Sequence, residues 1–139
     1  MEEKRKKLEW EESYSVQVKE IDDQHKKLFA TINELIDSIY EQTTKEHLNG
    51  IIDSLIIYKR FHFATEERYF KEFNYSGAQD HINKHNMFNE KLDAIQKEFG
   101  ADTVTFAFKL VDFLEDWLIQ HLMTVDQQYV PCFKEHGLK

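Results

Sequence analysis

The chain is poor in the residues that bend or crosslink a backbone. Among 139 residues there are only 4 glycines, 1 proline and 1 cysteine. So few turn formers argue against sandwiches, propellers, collagen-like repeats and glycine-rich phosphate loops. A single cysteine excludes an internal disulfide and any metal knot built on paired thiolates. It also suits a reducing compartment, so a cytoplasmic location is expected. No apolar run approaches the ~18 residues of a membrane span, and the charged opening Met1-Glu2-Glu3-Lys4 is not that of a signal peptide. Positive charge is scarce as well. Lys+Arg 18 against Asp+Glu 26 leave a net charge of -8, which disfavours nucleic acid or an anionic membrane as partner. What the chain does have is aromatic residues and 7 histidines, and the histidines prove the more informative.

The length fits one domain, residues 1-139, with a core large enough to fold without disulfides. Four stretches carry helical periodicity. The first, about 22-41, repeats Ile21, Leu28, Ile32, Leu35 and Ile39 at alternating spacings of three and four, with Asp22 or Asp23 as the expected N-cap. The second, about 44-73, opens on the capping box Thr43-x-x-Glu46 and runs through Leu48, Ile52, Leu55, Phe63, Tyr69 and Phe73. The third, about 78-99, follows Ser76-x-x-Gln79 and runs through Phe88, Leu92, Ile95 and Phe99 to Gly100, a natural helix stop. The fourth, about 103-130, starts near Asp102 or Thr103 and ends where Pro131 should forbid continuation. Short connections make neighbours antiparallel, so the expected fold is an all-α, up-down-up-down four-helix bundle. Residues 1-20 form an N-terminal arm whose Trp10, Tyr14, Val16 and Val18 should lie along the bundle, and 131-139 form a tail.

Polar residues break these apolar stripes where a purely structural helix would carry leucine. His25 falls in the first seam, His62 and Glu66 in the second one turn apart, and His81 and His85 at the head of the third. His121 follows Leu114 and Leu118 in the fourth, and Asp126 comes five residues later. Five residues turn an ideal helix by about 140° beyond a full turn, so the last pair must converge from either side of the seam or the helix must be locally distorted. In an antiparallel bundle all of these residues fall at the same end. Burying them together without a shared partner would cost several kcal/mol for each carboxylate, and a bound cation removes that cost.

Five imidazoles and two carboxylates exceed the four ligands of a zinc site. Spread over two metals they leave carboxylates to bridge, and N/O ligation without thiolate suits iron. The Glu-x-x-His repeats of carboxylate-rich oxidase bundles are absent. A site rich in imidazole favours ferrous iron, which suits reversible O₂ binding better than oxidation of a substrate. His47 and His136 sit off the seams and read as surface residues, and Cys132 has no placed base or ligand partner and reads as a plain thiol.

The pattern resembles the hemerythrin family, and within it the bacterial single-domain members, the bacteriohemerythrins. The resemblance spans about residues 8 to 133. It is carried by Leu8-Glu9-Trp10, Tyr14-Ser15-Val16, Ile21-Asp22-Asp23-Gln24-His25-Lys26-Lys27-Leu28, His62-Phe63-Ala64-Thr65-Glu66, His81-Ile82-Asn83-Lys84-His85 and Trp117-Leu118-Ile119-Gln120-His121 with Asp126. The resemblance implies two iron ions in a non-heme centre with an oxo or hydroxo bridge. His81, His85 and His121 would hold a coordinatively filled iron, His25 and His62 an open one, and Glu66 and Asp126 would bridge both. It also implies an apolar O₂ pocket of Leu28, Phe63, Trp117, Leu118 and Leu122. The expected activity is reversible O₂ binding for transport, storage or delivery, without enzymatic turnover. An O₂ or redox sensor acting through a separate partner is the second reading, and a di-iron peroxidase or nitric-oxide or nitrite reductase the third. The expected partners are O₂ and small anions at the open iron, with a monomeric chain and no nucleic acid or membrane.

Overall fold

A computed structural model describes residues 7–97 and 103–139. Among these the chain is helical and has no strand: α1 is Lys19–Tyr40, α2 Thr44–Glu72, α3 Ala78–Lys97 and α4 Thr103–Trp117. The expected stop at Phe99-Gly100 and the candidate cap Asp102 lie outside the described residues. α1 packs on α2 and α4, and α3 on α2 and α4, which closes an antiparallel four-helix bundle. No described helix is long and apolar enough to cross a membrane.

Helix ends depart from the sequence reading in instructive ways. α1 begins at Lys19, three residues before the expected start, behind an extended Val18. Asp22 therefore lies inside the first turn and reaches back to the arm, accepting hydrogen bonds from Val16 N–H (2.8 Å) and Ser15 Oγ–H (2.5 Å). Thr43 precedes α2, but its hydroxyl makes no capping bond; its carbonyl accepts from Glu46 and His47. Gly77, not Ser76, provides the carbonyl that receives His81 N–H at the start of α3. With glycine scarce, left-handed closing residues are supplied by other side chains. Gln42 (φ 60) ends α1 and Asn74 (φ 51) ends α2, and the amides that follow fold back onto Ser38 and Phe70.

The fourth rod is where the sequence reading needs most correction. α4 gives way at Leu118 to a π-helical segment, Leu118–Val125, and then to a 3₁₀ turn, Asp126–Tyr129. Pro131 does not stop the chain. It occupies the first turn of a further helix, α5 (Val130–Glu135), where the missing N–H leaves no bond unmade. The expected tail is thus largely helical.

Two apolar clusters follow from this arrangement. The larger fills the bundle from Leu28, Ile32 and Leu35 through Leu55, Phe88 and Leu92 to Leu110, Leu114 and Leu122. The smaller closes one end with Val16 and Val18 of the arm, Ile21, Phe70, Tyr129 and Phe133 of α5. Phe70 takes the buried position on α2, whereas Tyr69 and Phe73, expected on the inward face, flank the small cluster half-buried.

Candidate metal centre

Between the two clusters lies a polar layer. His25, His62, Glu66, His81, His85, His121 and Asp126 are all buried, none more than 2% exposed. α1 provides one, α2 two, α3 two, and the distorted end of the fourth rod the remaining pair. The π-helical turn lets that pair meet: Asp126 N–H bonds to the carbonyl of His121, five residues back, and His121 Nε2 lies 2.9 Å from Asp126 Oδ1.

The donors form two overlapping groups, Glu66 with His81, His85 and His121, and His25 with His62, Glu66 and Asp126. Within each, the candidate ligand atoms all lie within 4.8 Å of one another. Both carboxylates face both groups of imidazoles. Asp126 turns Oδ1 to His81 (3.0 Å) and His121 (2.9 Å) and Oδ2 to His25 (3.1 Å). Glu66 Oε1 lies 3.1 Å from both His62 and His85 and 3.5 Å from His81. His25 Nε2 and His62 Nε2 face each other at 3.1 Å.

These short distances are not a satisfied hydrogen-bond network. Glu66 Oε2, both oxygens of Asp126, His81 Nε2 and both nitrogens of His121 are buried without a hydrogen-bonded partner. Such orphaned groups normally cost about 1–3 kcal/mol each. Neighbouring ligands of an octahedral ion with bonds of about 2.1 Å are about 3.0 Å apart, the spacing these donors already hold. The donor set fits metal ions, and neutral imidazoles with ionised carboxylates suit iron.

Electrostatics agree with shared cationic partners. Burial opposes ionisation of Glu66, yet the imidazoles of His62, His81 and His85 hold it well below the usual carboxylate range; His121 and His25 do the same for Asp126. Burial would lower His81, but the two carboxylates outweigh it and push it up to about 9. His85 is raised by Glu66 and Glu67 against its burial, while burial dominates at His62 and His121 and lowers both.

The imidazoles are also aimed from behind. Thr65 Oγ–H donates to the Phe61 carbonyl, so its oxygen accepts from Gln24 Nε2 (3.0 Å). That turns Gln24 Oε1 toward His62, whose Nδ1–H it receives at 2.8 Å, leaving the Nε2 lone pair facing inward. Glu67 does the same for His85 at 2.9 Å. Aromatic faces fix the rings. Phe63 stacks on His85 (3.8 Å between centroids, 6°), Trp117 on His121 (3.9 Å, 12°) and Tyr58 on His62 (5.2 Å, 16°). Gln24, Glu67, Tyr58 and Tyr129 were not singled out in the sequence. Their only signal was position, adjacent to a site residue or three to four residues from one. Leu28, Phe63, Leu118 and Leu122 are buried in the larger cluster, and half-buried Trp117 packs against it.

Residues 16–133 match the family model described as Hemerythrin HHE cation binding domain. The chain belongs to the hemerythrin family. It is 27% identical to a bacteriohemerythrin of Clostridium acetobutylicum over 125 residues, 87% of this chain and 97% of that protein. It is 32% identical to a bacteriohemerythrin of Methylococcus capsulatus, covering 80% and 84% of the two chains. A hemerythrin-like protein of Naegleria gruberi is 31% identical, covering 86% and 88%. Hemerythrin membership implies a non-heme iron centre, and among the described residues the buried imidazole-carboxylate layer has the donors to hold one. The remaining histidines stand apart from it. His47 is exposed, and exposed His136 stacks on Phe73 and lies 4.0 Å from Cys132 Sγ, a thiol that burial pushes up.

Proposed function

We propose that this chain binds O₂ reversibly at a centre of two non-heme iron ions and acts in oxygen transport, storage or delivery rather than as an enzyme. The observation that carries the reading is the pair of donor groups that share Glu66, with Asp126 Oδ1 turned to His81 and His121 of the other group. Glu66 Oε2, both Asp126 oxygens, His81 Nε2 and both His121 nitrogens are buried and unpaired. His81, His85 and His121 with the two carboxylates offer five donors to one ion. His25 and His62 with the same carboxylates offer four to the other. That difference supports placing O₂ and small anions on the His25–His62 side. Two ferrous ions held by these residues would supply the electrons for reversible O₂ binding.

The chain itself holds, orients and excludes. Gln24 and Glu67 fix which nitrogen of His62 and His85 faces inward. Leu28, Phe63, Trp117, Leu118 and Leu122 form the apolar wall, keeping water and protons from the site and so slowing irreversible oxidation. The arm and α5 cover the opposite end. Burial and the nearby carboxylates keep the Tyr58 and Tyr129 phenols neutral, so neither adds negative charge to the layer.

Anaerobic loading with ferrous iron, iron quantification and optical spectra on admitting and then removing O₂ test this reading. It expects two irons per chain and an absorption band that appears with O₂ and disappears without it. Irreversible oxidation would replace the carrier with a sensor or an enzyme, and failure to take up iron would overturn the metal centre.

A further inference from the structure

The two hydrogen bonds that aim His85 and His62 match in geometry and differ in charge. Glu67 Oε2 accepts from His85 Nδ1 at 2.9 Å, and Gln24 Oε1 accepts from His62 Nδ1 at 2.8 Å. One acceptor is a carboxylate and the other a neutral amide. An imidazole whose N–H is held by a carboxylate is a stronger donor through its opposite nitrogen, and the nearby anion favours a more highly charged ion. The neutrality at Gln24 is built in. Its amide nitrogen is committed to Thr65 Oγ1, whose own proton goes to the Phe61 carbonyl, so the amide oxygen is the atom left for His62.

We infer that Glu67 and Gln24 are positioning residues that make the two metal subsites electronically unequal. Glu67 biases the ion held by His81, His85 and His121 toward tighter binding and the ferric state. Gln24 keeps the ion held by His25 and His62 more weakly bound and ferrous. The inference rests on the metal-centre reading above and deepens it, since it assigns different tendencies to the two ions. Outer partners of metal-bound histidines typically change affinity by about 10- to 100-fold. The Glu67 side chain is 37% exposed, so solvent screens part of its charge and the lower end of that range applies.

The test uses the full chain, Glu67→Gln and Gln24→Glu. Cobalt(II) titration reads the two affinities, redox titration of the iron-loaded protein reads the midpoint potentials, and thermal unfolding of the metal-free variants reads structural damage. Glu67→Gln retains the hydrogen bond and should weaken the tighter site about tenfold and raise its potential, by about 59 mV for each tenfold by which ferric binding is weakened more than ferrous. Gln24→Glu should act in the opposite sense, strengthening the weaker site and lowering its potential. Shifts of the same sign in both variants, or no shift with two metals bound, would overturn the inference. If the unaltered chain takes up no metal, the underlying reading fails and this inference with it.

Discussion

His121 and Asp126 lie five residues apart in sequence and 2.9 Å apart in space. On a regular α-helix they would diverge by about 140°. The π-helical segment Leu118–Val125 widens the turn so that Asp126 N–H reaches the His121 carbonyl and both side chains enter the polar layer. The π-helical turn is rare and recurs at functional sites, and the 3₁₀ turn that follows it has poorer hydrogen-bond geometry than α-helix.

Amides in residues 118–129 should therefore exchange hydrogen faster than those of α1 in the metal-free chain, and metal binding should slow them more than any other part of the bundle. Hydrogen–deuterium exchange read by mass spectrometry checks this. Equal protection of both regions, unchanged by metal, would mean that the π-helical turn is held by packing alone.

Leu118 is 5% exposed in the larger apolar cluster, three residues before His121. Leu118→Asn should cost about 1–3 kcal/mol in stability, because it buries an amide among apolar neighbours. It should also speed loss of the oxygenated protein about tenfold by admitting water and protons. Stopped-flow decay of the oxygenated spectrum measures the second effect, and an unchanged rate would remove Leu118 from the protective wall.

The arm is tied across the capped end by Asp22, which receives Val16 N–H and Ser15 Oγ–H, and by Gln127 Nε2, which donates to the Tyr14 and Ser15 carbonyls at 3.4 and 3.3 Å. Asp22→Ala removes the first tie and should cost about 1–2 kcal/mol. It should also quicken both iron loss to a chelator and oxidation, since Val16 and Val18 help close the site. A variant that is destabilised yet loses iron at the original rate would show that the arm contributes stability without sealing the centre.

Proton release gives a prediction with a definite sign. With His81 raised to about 9, the metal-free chain carries a proton on that imidazole at pH 7, and Glu66 and Glu67 raise His85 in the same direction. His62 and His121 are lowered, and Glu66 and Asp126 are held ionised, so none of these four has a proton to lose there. Metal binding at pH 7 should release at least about one proton per chain, and the His81 share should vanish as pH rises through about 9. Affinity accordingly falls as pH is lowered, more steeply once His62 and His121, which burial lowers, begin to protonate. Calorimetry in buffers of different ionisation heat counts the protons, and zero release at pH 7 would contradict the assignment.

Much of this architecture can be read from the sequence, for identifiable reasons. The apolar repeats of Ile21 to Ile39 and Leu48 to Leu55 mark helices, and helix direction alone brings His25, His62, His81 and His85 to one end. What cannot be read arises from tertiary packing. Asp126 requires a π-helical turn that local propensity does not announce. Pro131 reads as a stop but is equally at home in the first turn of a new helix, which Phe133 then anchors among Val16, Phe70 and Tyr129. Asp22 resembles a cap in sequence, yet serves the arm because α1 starts earlier. Gln24 and Glu67 are ordinary polar residues until their partners are located across α1, α2 and α3.

The most direct test of the central claim is anomalous diffraction at the iron edge from iron-loaded crystals. Two peaks about 3.5 Å apart, one beside His81, His85 and His121, the other beside His25 and His62, and both flanked by Glu66 and Asp126, are the predicted result. A single peak, or iron bound elsewhere with this layer metal-free, would contradict it.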